Sequence, residues 1–249
     1  MSDTVSGAGS ECLKGTKALV TGGGRGIGRC IAHTLSACGT DVIIVSRTER
    51  DLEETVCSGE AGEGSIRAFP ADVSSERDIT GLFSMIEKEY SGLDILINNA
   101  GIGIYGPVED FSADDFSRVM DVNLKGAFLC CREAVRMMKR AGKGYIINIA
   151  SVVGIKGYPR QAAYTASKHG MMGLTKSIAA ETADTGIRIS AVLPGGVDTE
   201  MAGRARPDLD RSVLLQPEDV ARTVLFLLTL PERAAVDQIY IRRSASSPF

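Results

Sequence analysis

Two residues in one predicted helix have the types and spacing for proton transfer. Tyr164 and Lys168 are four positions apart, and side chains at that spacing share a helix face with Cβ atoms about 5–6 Å apart. A phenol titrates near pH 10 when unperturbed, and a neighbouring cation favours its ionised form. The pair is therefore predicted to exchange a proton near neutral pH. An isolated pair of this kind is more often a surface Tyr beside a solvated Lys. The surrounding motifs must therefore show whether this pair belongs to an active site.

A glycine-rich turn near the start of the chain has the sequence TGGGRGIG over residues 21–28. It follows a predicted strand and opens a predicted helix, the context in which such a motif binds phosphate. The backbone amides and the helix N-terminus can receive a diphosphate. Its spacing differs from the common G-x-G-x-x-G pattern. The alternative interpretation is a glycine-rich turn that serves the fold and binds no ligand. The predicted cofactor contacts here are Gly22, Gly24, Arg25, Gly26, Ile27 and Gly28.

Apolar, β-branched segments alternate with helical patterns along the chain, which is typical of a parallel sheet covered on both faces. The sequence predicts an α/β fold: one Rossmann-type domain with a doubly wound, seven-stranded parallel sheet and helices on both faces. It spans residues 14–249 after a flexible tail at 1–13, with a lid at about 199–216. Strands are predicted at 18–21, 41–46, 66–70, 93–98, 144–150, 187–193 and 236–241, and helices at 26–38, 49–58, 76–90, 113–141, 161–185 and 217–229.

Composition narrows the function classes. The 249 residues are 44% hydrophobic and 24% charged, with a formal net charge of −3, which fits one globular domain and gives no reason to expect nucleic-acid binding. No apolar run approaches the ~20 residues of a membrane span, and the N-terminus lacks signal-peptide features. We expect a cytoplasmic protein with no membrane contact. Six cysteines without a C-x-x-C pair and two histidines predict no metal site.

Further motifs follow three predicted strands, at the carboxyl ends where ligands bind in open α/β sheets. They are Asp72-Val73, Asn98-Asn99-Ala100-Gly101 and Pro194-Gly195. Together with the glycine-rich turn, Ser151 and the Tyr164–Lys168 pair, this ordered set resembles the short-chain dehydrogenase/reductase family from about residue 14 to about residue 230.

The resemblance implies a bound nicotinamide dinucleotide. In that family the glycine-rich turn binds the diphosphate, the acid matching Asp72 holds the adenine, and the N-N-A-G segment shapes the floor of the cofactor site. The cofactor contacts that it adds are Asp72, Val73, Asn99, Ala100, Gly101, Tyr164, Lys168, Pro194, Gly195, Val197 and Thr199.

The resemblance also implies a catalytic set of Asn123, Ser151, Tyr164 and Lys168. Tyr164 would deliver a proton to the substrate oxygen during reduction, and Ser151 would hydrogen-bond that oxygen. Lys168 would lower the phenol pKa and bind the nicotinamide ribose. Asn123 matches the family residue that breaks a long helix and holds a water in a proton relay, with an ordinary helical residue as its alternative.

Charge at the end of the second strand predicts which dinucleotide is bound. An acidic residue there would bind the adenosine ribose and repel a 2′-phosphate, but this chain has Ser46 and Arg47. Arg25 can approach from the glycine-rich turn, and a guanidinium matches phosphate geometry. We therefore predict NADP(H), with a solvated Arg47 as the alternative.

The resemblance is greatest to 3-oxoacyl-acyl-carrier-protein reductases, enzymes of fatty acid biosynthesis, which implies reduction of a 3-oxoacyl thioester. A broad carbonyl reductase or alcohol dehydrogenase acting on small ketones, sugars or ring ketones is the alternative, and a non-catalytic dinucleotide-binding regulator is less expected. The substrate walls are predicted at 102–105, 152–158 and after Gly195. An acyl carrier protein or coenzyme A could contact the basic residues Lys125, Arg132, Arg136, Arg204 and Arg206.

Two long helices, at about 113–141 and 161–185, would pair two subunits in this family. The chain ends in VDQIYIRR over residues 236–243, whereas many family tetramers end in a strand carrying V-D-G-G. A homodimer or homotetramer is expected, and the altered C-terminus makes the tetramer the weaker alternative.

Overall fold

Seven parallel strands form one central sheet. The computed structural model describes residues 13–59, 62–205 and 210–246, so the expected tail lies outside the described residues apart from Leu13. The strand order is β3-β2-β1-β4-β5-β6-β7, and every neighbouring pair is parallel. The predicted fold class is confirmed. The strands are β1 Lys17–Thr21, β2 Asp41–Ser46, β3 Ile66–Pro70, β4 Ile95–Asn98, β5 Gly144–Ile149, β6 Ile187–Pro194 and β7 Gln238–Ile241.

Helices cover both faces of the sheet. One face packs against α1 and α8 through apolar residues such as Ile31 and Val224, and the other against α3 and α5 through residues such as Leu82 and Met138. The helices are α1 Gly26–Ala37, α2 Glu49–Ser58, α3 Glu76–Tyr90, α4 Ala113–Met120, α5 Gly126–Ala141, α6 Ala162–Glu181, α7 Glu200–Ala205 and α8 Pro217–Leu228. Among the described helices, none is long and apolar enough to cross a bilayer.

The helix predicted over 113–141 is interrupted. Between α4 and α5 lies a π-helical turn, Asp121–Lys125, and such turns are frequent at functional sites. The helix predicted over 161–185 ends earlier, at Glu181, and the chain then reaches Gly186 at φ +73°. Helix α7 was not predicted, because a helix of six residues within the expected lid carries too little apolar periodicity.

The carboxyl edge of the sheet brings distant segments of sequence together. Strands β1, β4, β5 and β6 are neighbours in the sheet, so the segments that follow them emerge side by side. These strands are almost fully buried, because helices cover both faces and leave no solvated side. The glycine-rich turn, the N-N-A-G segment, Ser151 and Pro194-Gly195 all lie along this edge.

Candidate active site

A cleft of about 650 Å³ opens along the carboxyl edge of the sheet. Of the predicted site residues, all line it except Gly28 and Asn123, which lie behind its wall. Of the residues predicted to form the substrate walls, those that line the cleft include Ile102, Gly103, Tyr105, Val152, Val153 and Tyr158. Arg206 lies outside the described residues, and Arg204 is described by its backbone only.

Glycines allow the turn after β1 to approach its neighbours closely. Gly22 has φ +67°, and a Cβ there would lie 2.9 Å from the Cα of Ala100. A Cβ on Gly28 would lie only 2.2 Å from the carbonyl oxygen of Gly22. Neither distance is tolerable for a real Cβ atom. Glycine at position 22 is therefore required for the turn to approach Ala100, and glycine at position 28 for the turn to fold back on the start of α1. Gly28 therefore acts from behind the cleft.

Helix α2 fixes the carbonyl groups of the same turn. The Thr55 hydroxyl is within hydrogen-bond distance of the carbonyls of Gly23 and Gly24, at 3.2 and 3.0 Å. The Arg29 guanidinium donates to the Gly24 carbonyl at 2.6 Å. These contacts hold the two carbonyls in place. The residues that do this were not predicted, because their role depends on the packing of α1 against α2.

The N-terminus of α1 fits a diphosphate. No side chain caps it and no acidic residue lies in its first turn, so its amides face no competing carboxylate there, and helix N-termini favour anions. At the ends of the neighbouring strands β1 and β4, the Thr21 hydroxyl accepts hydrogen bonds from the amides of Asn99 and Ala100, both at 3.0 Å. The Asn99 side chain donates to the Thr21 carbonyl at 3.0 Å. The turn and the N-N-A-G segment thus form one preorganised cradle.

Tyr164 and Lys168 lie one turn apart on α6, with the ammonium 5.9 Å from the centroid of the phenol ring. Burial raises the pKa of Tyr164 to about 12, and a hydrogen bond with Ser151 lowers it in part. Burial lowers the pKa of Lys168 to about 8. The sequence predicted that Lys168 would lower the phenol pKa. Loss of solvation on burial instead raises that pKa, and the Lys168 ammonium donates to the Ile149 carbonyl at 2.8 Å.

Ser151 follows β5 and positions its hydroxyl beside the phenol. Its side chain accepts a hydrogen bond from the Val153 amide at 3.3 Å, and its hydroxyl lies 3.5 Å from the Pro194 carbonyl. The tip of β6 is therefore close to the Ser151–Tyr164 pair. A hydroxyl and a phenol converge at this end of the cleft, which is the arrangement needed to hydrogen-bond one substrate oxygen from two sides.

Asn123 is fully buried in the π-helical turn. Its side chain accepts from the Ile102 amide at 2.8 Å and donates to the Ile102 carbonyl at 3.0 Å. It also donates to the Ser167 hydroxyl at 3.0 Å, and Ser167 in turn donates to the Tyr164 carbonyl at 2.7 Å. Asn123 thus ties the loop after β4 to the helix that carries Tyr164, a structural role that the sequence did not predict.

Comparison with known proteins agrees with this geometry. The short chain dehydrogenase family matches residues 16–210. The chain is a short-chain dehydrogenase/reductase. It is 41% identical over 192 residues to a 3beta-hydroxysteroid dehydrogenase of Mediterraneibacter gnavus, covering 77% of this chain and 69% of the relative. It is 37% identical over 210 residues to a D-beta-hydroxybutyrate dehydrogenase of Rhizobium meliloti, covering 84% and 81%.

A solved metagenomic short-chain oxidoreductase in complex with NADP has the same fold, with a TM-score of 0.82 at 31% identity over 93% of this chain and 99% of that one. The dehydrogenase described here is thus an NAD(P)-dependent oxidoreductase that interconverts CH–OH and C=O groups. The named relatives are hydroxysteroid and hydroxybutyrate dehydrogenases rather than acyl-carrier-protein reductases.

Two ion pairs lie at the adenosine end of the cleft, the name used here for the end beside Ser46 and Arg47 where the sequence predicts the adenosine of the cofactor. Arg47 lies 3.9 Å from Asp72, and Arg25 pairs with Glu200, the first residue of α7. The arginine side chains are 59% and 63% exposed, so both remain accessible. Ser46 lies beside them with its hydroxyl 3.2 Å from the Thr48 carbonyl. Both arginines predicted to meet a 2′-phosphate therefore already interact with carboxylates.

Sequence reasoning placed Tyr105 in a substrate wall without its contact with Tyr164, and it gave Glu200 and Arg243 no role in the cleft. The Tyr105 ring meets the Tyr164 ring edge-on, with centroids 5.9 Å apart, and restricts the reaction end of the cleft. Glu200 and Arg243 also line the cleft. The basic pair Arg242-Arg243 at the end of β7 was a visible signal in the sequence for Arg243, whereas nothing in the sequence pointed to Glu200.

Proposed function

We propose that this dehydrogenase transfers hydride between NADP(H) and a short 3-oxo or 3-hydroxy compound, with Tyr164 as the proton donor. The observation that carries the proposal is the convergence of the Tyr164 phenol and the Ser151 hydroxyl in a cleft that also holds Lys168. The nicotinamide cofactor supplies the hydride. The chain supplies position and protons.

Charge develops on the carbonyl oxygen during reduction, and two donors aimed at that oxygen stabilise it. Ser151 and Tyr164 are those donors. Because burial raises the pKa of Tyr164 to about 12, the phenol is protonated at neutral pH and ready to donate. Lys168, with a pKa lowered to about 8, is largely charged at pH 7 and would stabilise the phenolate that forms. Asn123 would position α6 through Ser167 and, as in the family, hold a relay water.

The substrate could carry its 3-oxo group in a thioester or in a free acid. The first is the 3-oxoacyl-acyl-carrier-protein reductase hypothesis, and the second is suggested by the relative that acts on hydroxybutyrate. Of the basic residues offered to a carrier protein, Lys125 pairs with Asp121 at 2.9 Å and Arg132 with Glu76 at 2.7 Å. A ring ketone, suggested by the hydroxysteroid dehydrogenase relative, is the second candidate.

NADP(H) is favoured over NAD(H) by the basic residues at the adenosine end. Arg25, Ser46 and Arg47 all line the cleft, and a guanidinium provides bidentate hydrogen bonds to phosphate. A 2′-phosphate would replace the carboxylates that these arginines now contact. The structural neighbour with bound NADP supports the same choice.

We also propose that two chains pair through the helices α4, α5 and α6. Phe116 on α4 and Phe128 on α5 are 43% and 44% exposed, and large aromatic side chains on a helical face are typical of interfaces. Light scattering at micromolar concentration is expected to give a mass of two or more chains, and the mass of one chain would contradict the pairing.

The decisive experiment for the activity follows NADPH oxidation with acetoacetyl-coenzyme A, acetoacetate and cyclohexanone, in the wild type and in Tyr164→Phe. Removing the proton donor is expected to lower kcat by about 10²–10⁴-fold, while the Kd for NADPH, from fluorescence titration, changes by less than about twofold. The matched control is Tyr90→Phe at the far end of α3, which should leave both quantities unchanged. Turnover by Tyr164→Phe within tenfold of the wild type would sink the assigned role.

A further inference from the structure

The chain forms a fixed turn immediately after β7. The Arg242 guanidinium donates to the carbonyls of Arg243 and Ser244 at 3.1 and 3.2 Å and also to that of Ser246. The Ser246 amide and hydroxyl donate to the Arg243 carbonyl at 3.0 and 2.8 Å. One arginine thus organises the turn over 243–246, and this fixes the backbone that carries its neighbour, Arg243.

This turn lies at the reaction end of the cleft. Pro194 pairs with Ile241 in the sheet, and the Gly195 amide donates to the Ile241 carbonyl at 2.8 Å. The Pro194 carbonyl is itself 3.5 Å from the Ser151 hydroxyl. Arg243 is two residues beyond Ile241, so their Cα atoms are at most about 7 Å apart. Arg243 is partly buried and lines the same cleft as Tyr164.

The charges along the cleft distinguish Arg243 from the other cations there. Among the side chains that the structure describes, four cationic ones line it: Arg25 and Arg47 pair with carboxylates, Lys168 donates to a backbone carbonyl beside Tyr164, and the fourth is Arg243. Within the described parts of the chain, no carboxylate lies within ion-pair distance of the Arg243 guanidinium. A partly buried guanidinium beside a substrate site binds a carboxylate through short, charge-assisted hydrogen bonds.

We propose that Arg243 binds the carboxylate of the substrate, so that the enzyme acts on a short oxo acid or hydroxy acid in its free, anionic form. The inference rests on the proposed function and deepens it, because it selects the acid over the thioester. The phosphates of coenzyme A do not fit this position, since the long pantetheine arm separates them from the reacting carbonyl, whereas Arg243 follows the strand end that contacts Ser151.

The test compares acetoacetate with acetoacetyl-N-acetylcysteamine, a neutral thioester with the same 3-oxo group. Arg243→Met keeps the apolar stem and removes the charge. We expect kcat/KM for acetoacetate to fall about 10–100-fold, mainly through KM, because a hydrogen bond to a charged group is lost. For the neutral thioester kcat/KM should change by less than about twofold. Arg243→Lys should retain part of the activity with acetoacetate, and Arg233→Met, at an exposed position outside the cleft, is the matched control.

A second readout does not depend on turnover. Calorimetric titration of the NADP⁺-loaded enzyme with acetoacetate should show binding by the wild type and a similar 10–100-fold weakening in Arg243→Met. Equal effects on both substrates, no effect on either, or no carboxylate binding by the wild type would overturn the inference. An Arg243→Met effect confined to acetoacetyl-coenzyme A would overturn it as well, and would indicate a phosphate contact instead. The proposed function fails separately, if Tyr164→Phe retains turnover.

Discussion

The two ends of the cleft hold their charges in different ways. At the adenosine end, Arg25 and Arg47 are more than half exposed and paired with carboxylates. At the reaction end, the Lys168 side chain is only 3% exposed. Exposed ion pairs contribute little to stability, so a ligand can exchange them at small cost. Buried charges are expensive to hold, so the reaction end must be formed by the fold before substrate arrives.

Lys168 shows how burial of a charge changes the free energy of unfolding with pH. Its ordinary pKa of 10.5 falls to about 8 in the folded chain, because burial disfavours the ammonium. Between pH 8 and 10.5 the unfolded chain binds more protons than the folded chain, so the free energy of unfolding rises with pH across this window. Below pH 8 the full penalty applies, on the order of 3 kcal/mol. The buried Lys168 ammonium thus destabilises the fold at neutral pH.

The largest effect is expected from Lys168→Met, which removes the buried charge. Turnover should fall by about 10²–10⁴-fold, as for other proton-transfer groups, while the ligand-free protein becomes more stable at pH 7. The Ile149 carbonyl loses its donor, so the net gain is about 1–2 kcal/mol, or roughly 2–8 °C in Tm. The pH dependence of Tm between pH 8 and 10 should flatten. Calorimetry of wild type and variant across that range measures both effects.

Lys176→Met provides the control, because Lys176 is exposed on the same helix and should alter neither activity nor the pH dependence of Tm. A Lys168→Met variant that is less stable than the wild type at pH 7 would contradict the comparison, since it would mean that the lysine stabilises the fold through its contacts more than its burial costs.

A smaller, selective effect is expected at the other end, from Arg47→Glu. The carboxylate should repel a 2′-phosphate and accept hydrogen bonds from an adenosine ribose, so the ratio of kcat/KM for NADPH over NADH should fall about 100-fold. Stability should stay within about 0.5 kcal/mol of the wild type, as is usual for surface substitutions. Arg50→Glu makes the same charge change nearby, at a side chain that is 84% exposed and outside the cleft. An unchanged ratio in Arg47→Glu would mean that Arg47 is simply solvated.

Features set by local spacing could be predicted from the sequence, whereas features set by long-range packing could not. The alternation of strands and helices gave the sheet, and local motifs gave the glycine-rich turn and the Tyr164–Lys168 pair, because spacing along one helix or turn determines their geometry. The contacts of Asn123 with Ile102 and of Thr55 with the glycine-rich turn join segments far apart in sequence, and no local pattern encodes them. The direction of the Tyr164 pKa shift was missed for the same reason: burial is a property of the packed molecule, whereas the neighbouring cation is visible in the sequence.

The smallest effect is expected from Glu200→Gln. This variant tests whether a bound phosphate can replace the carboxylate in an exposed ion pair at the adenosine end. If the 2′-phosphate competes with Glu200 for Arg25, removing the carboxylate charge should lower the KM for NADPH by about 2–5-fold, in keeping with the ~0.2–1 kcal/mol of an exposed pair. The KM for NADH should stay nearly constant, because NADH carries no phosphate there. Glu232→Gln, exposed and outside the cleft, controls for net charge. Equal changes in KM for both cofactors would instead assign Glu200 to the placement of α7, and the competition for Arg25 would be refuted.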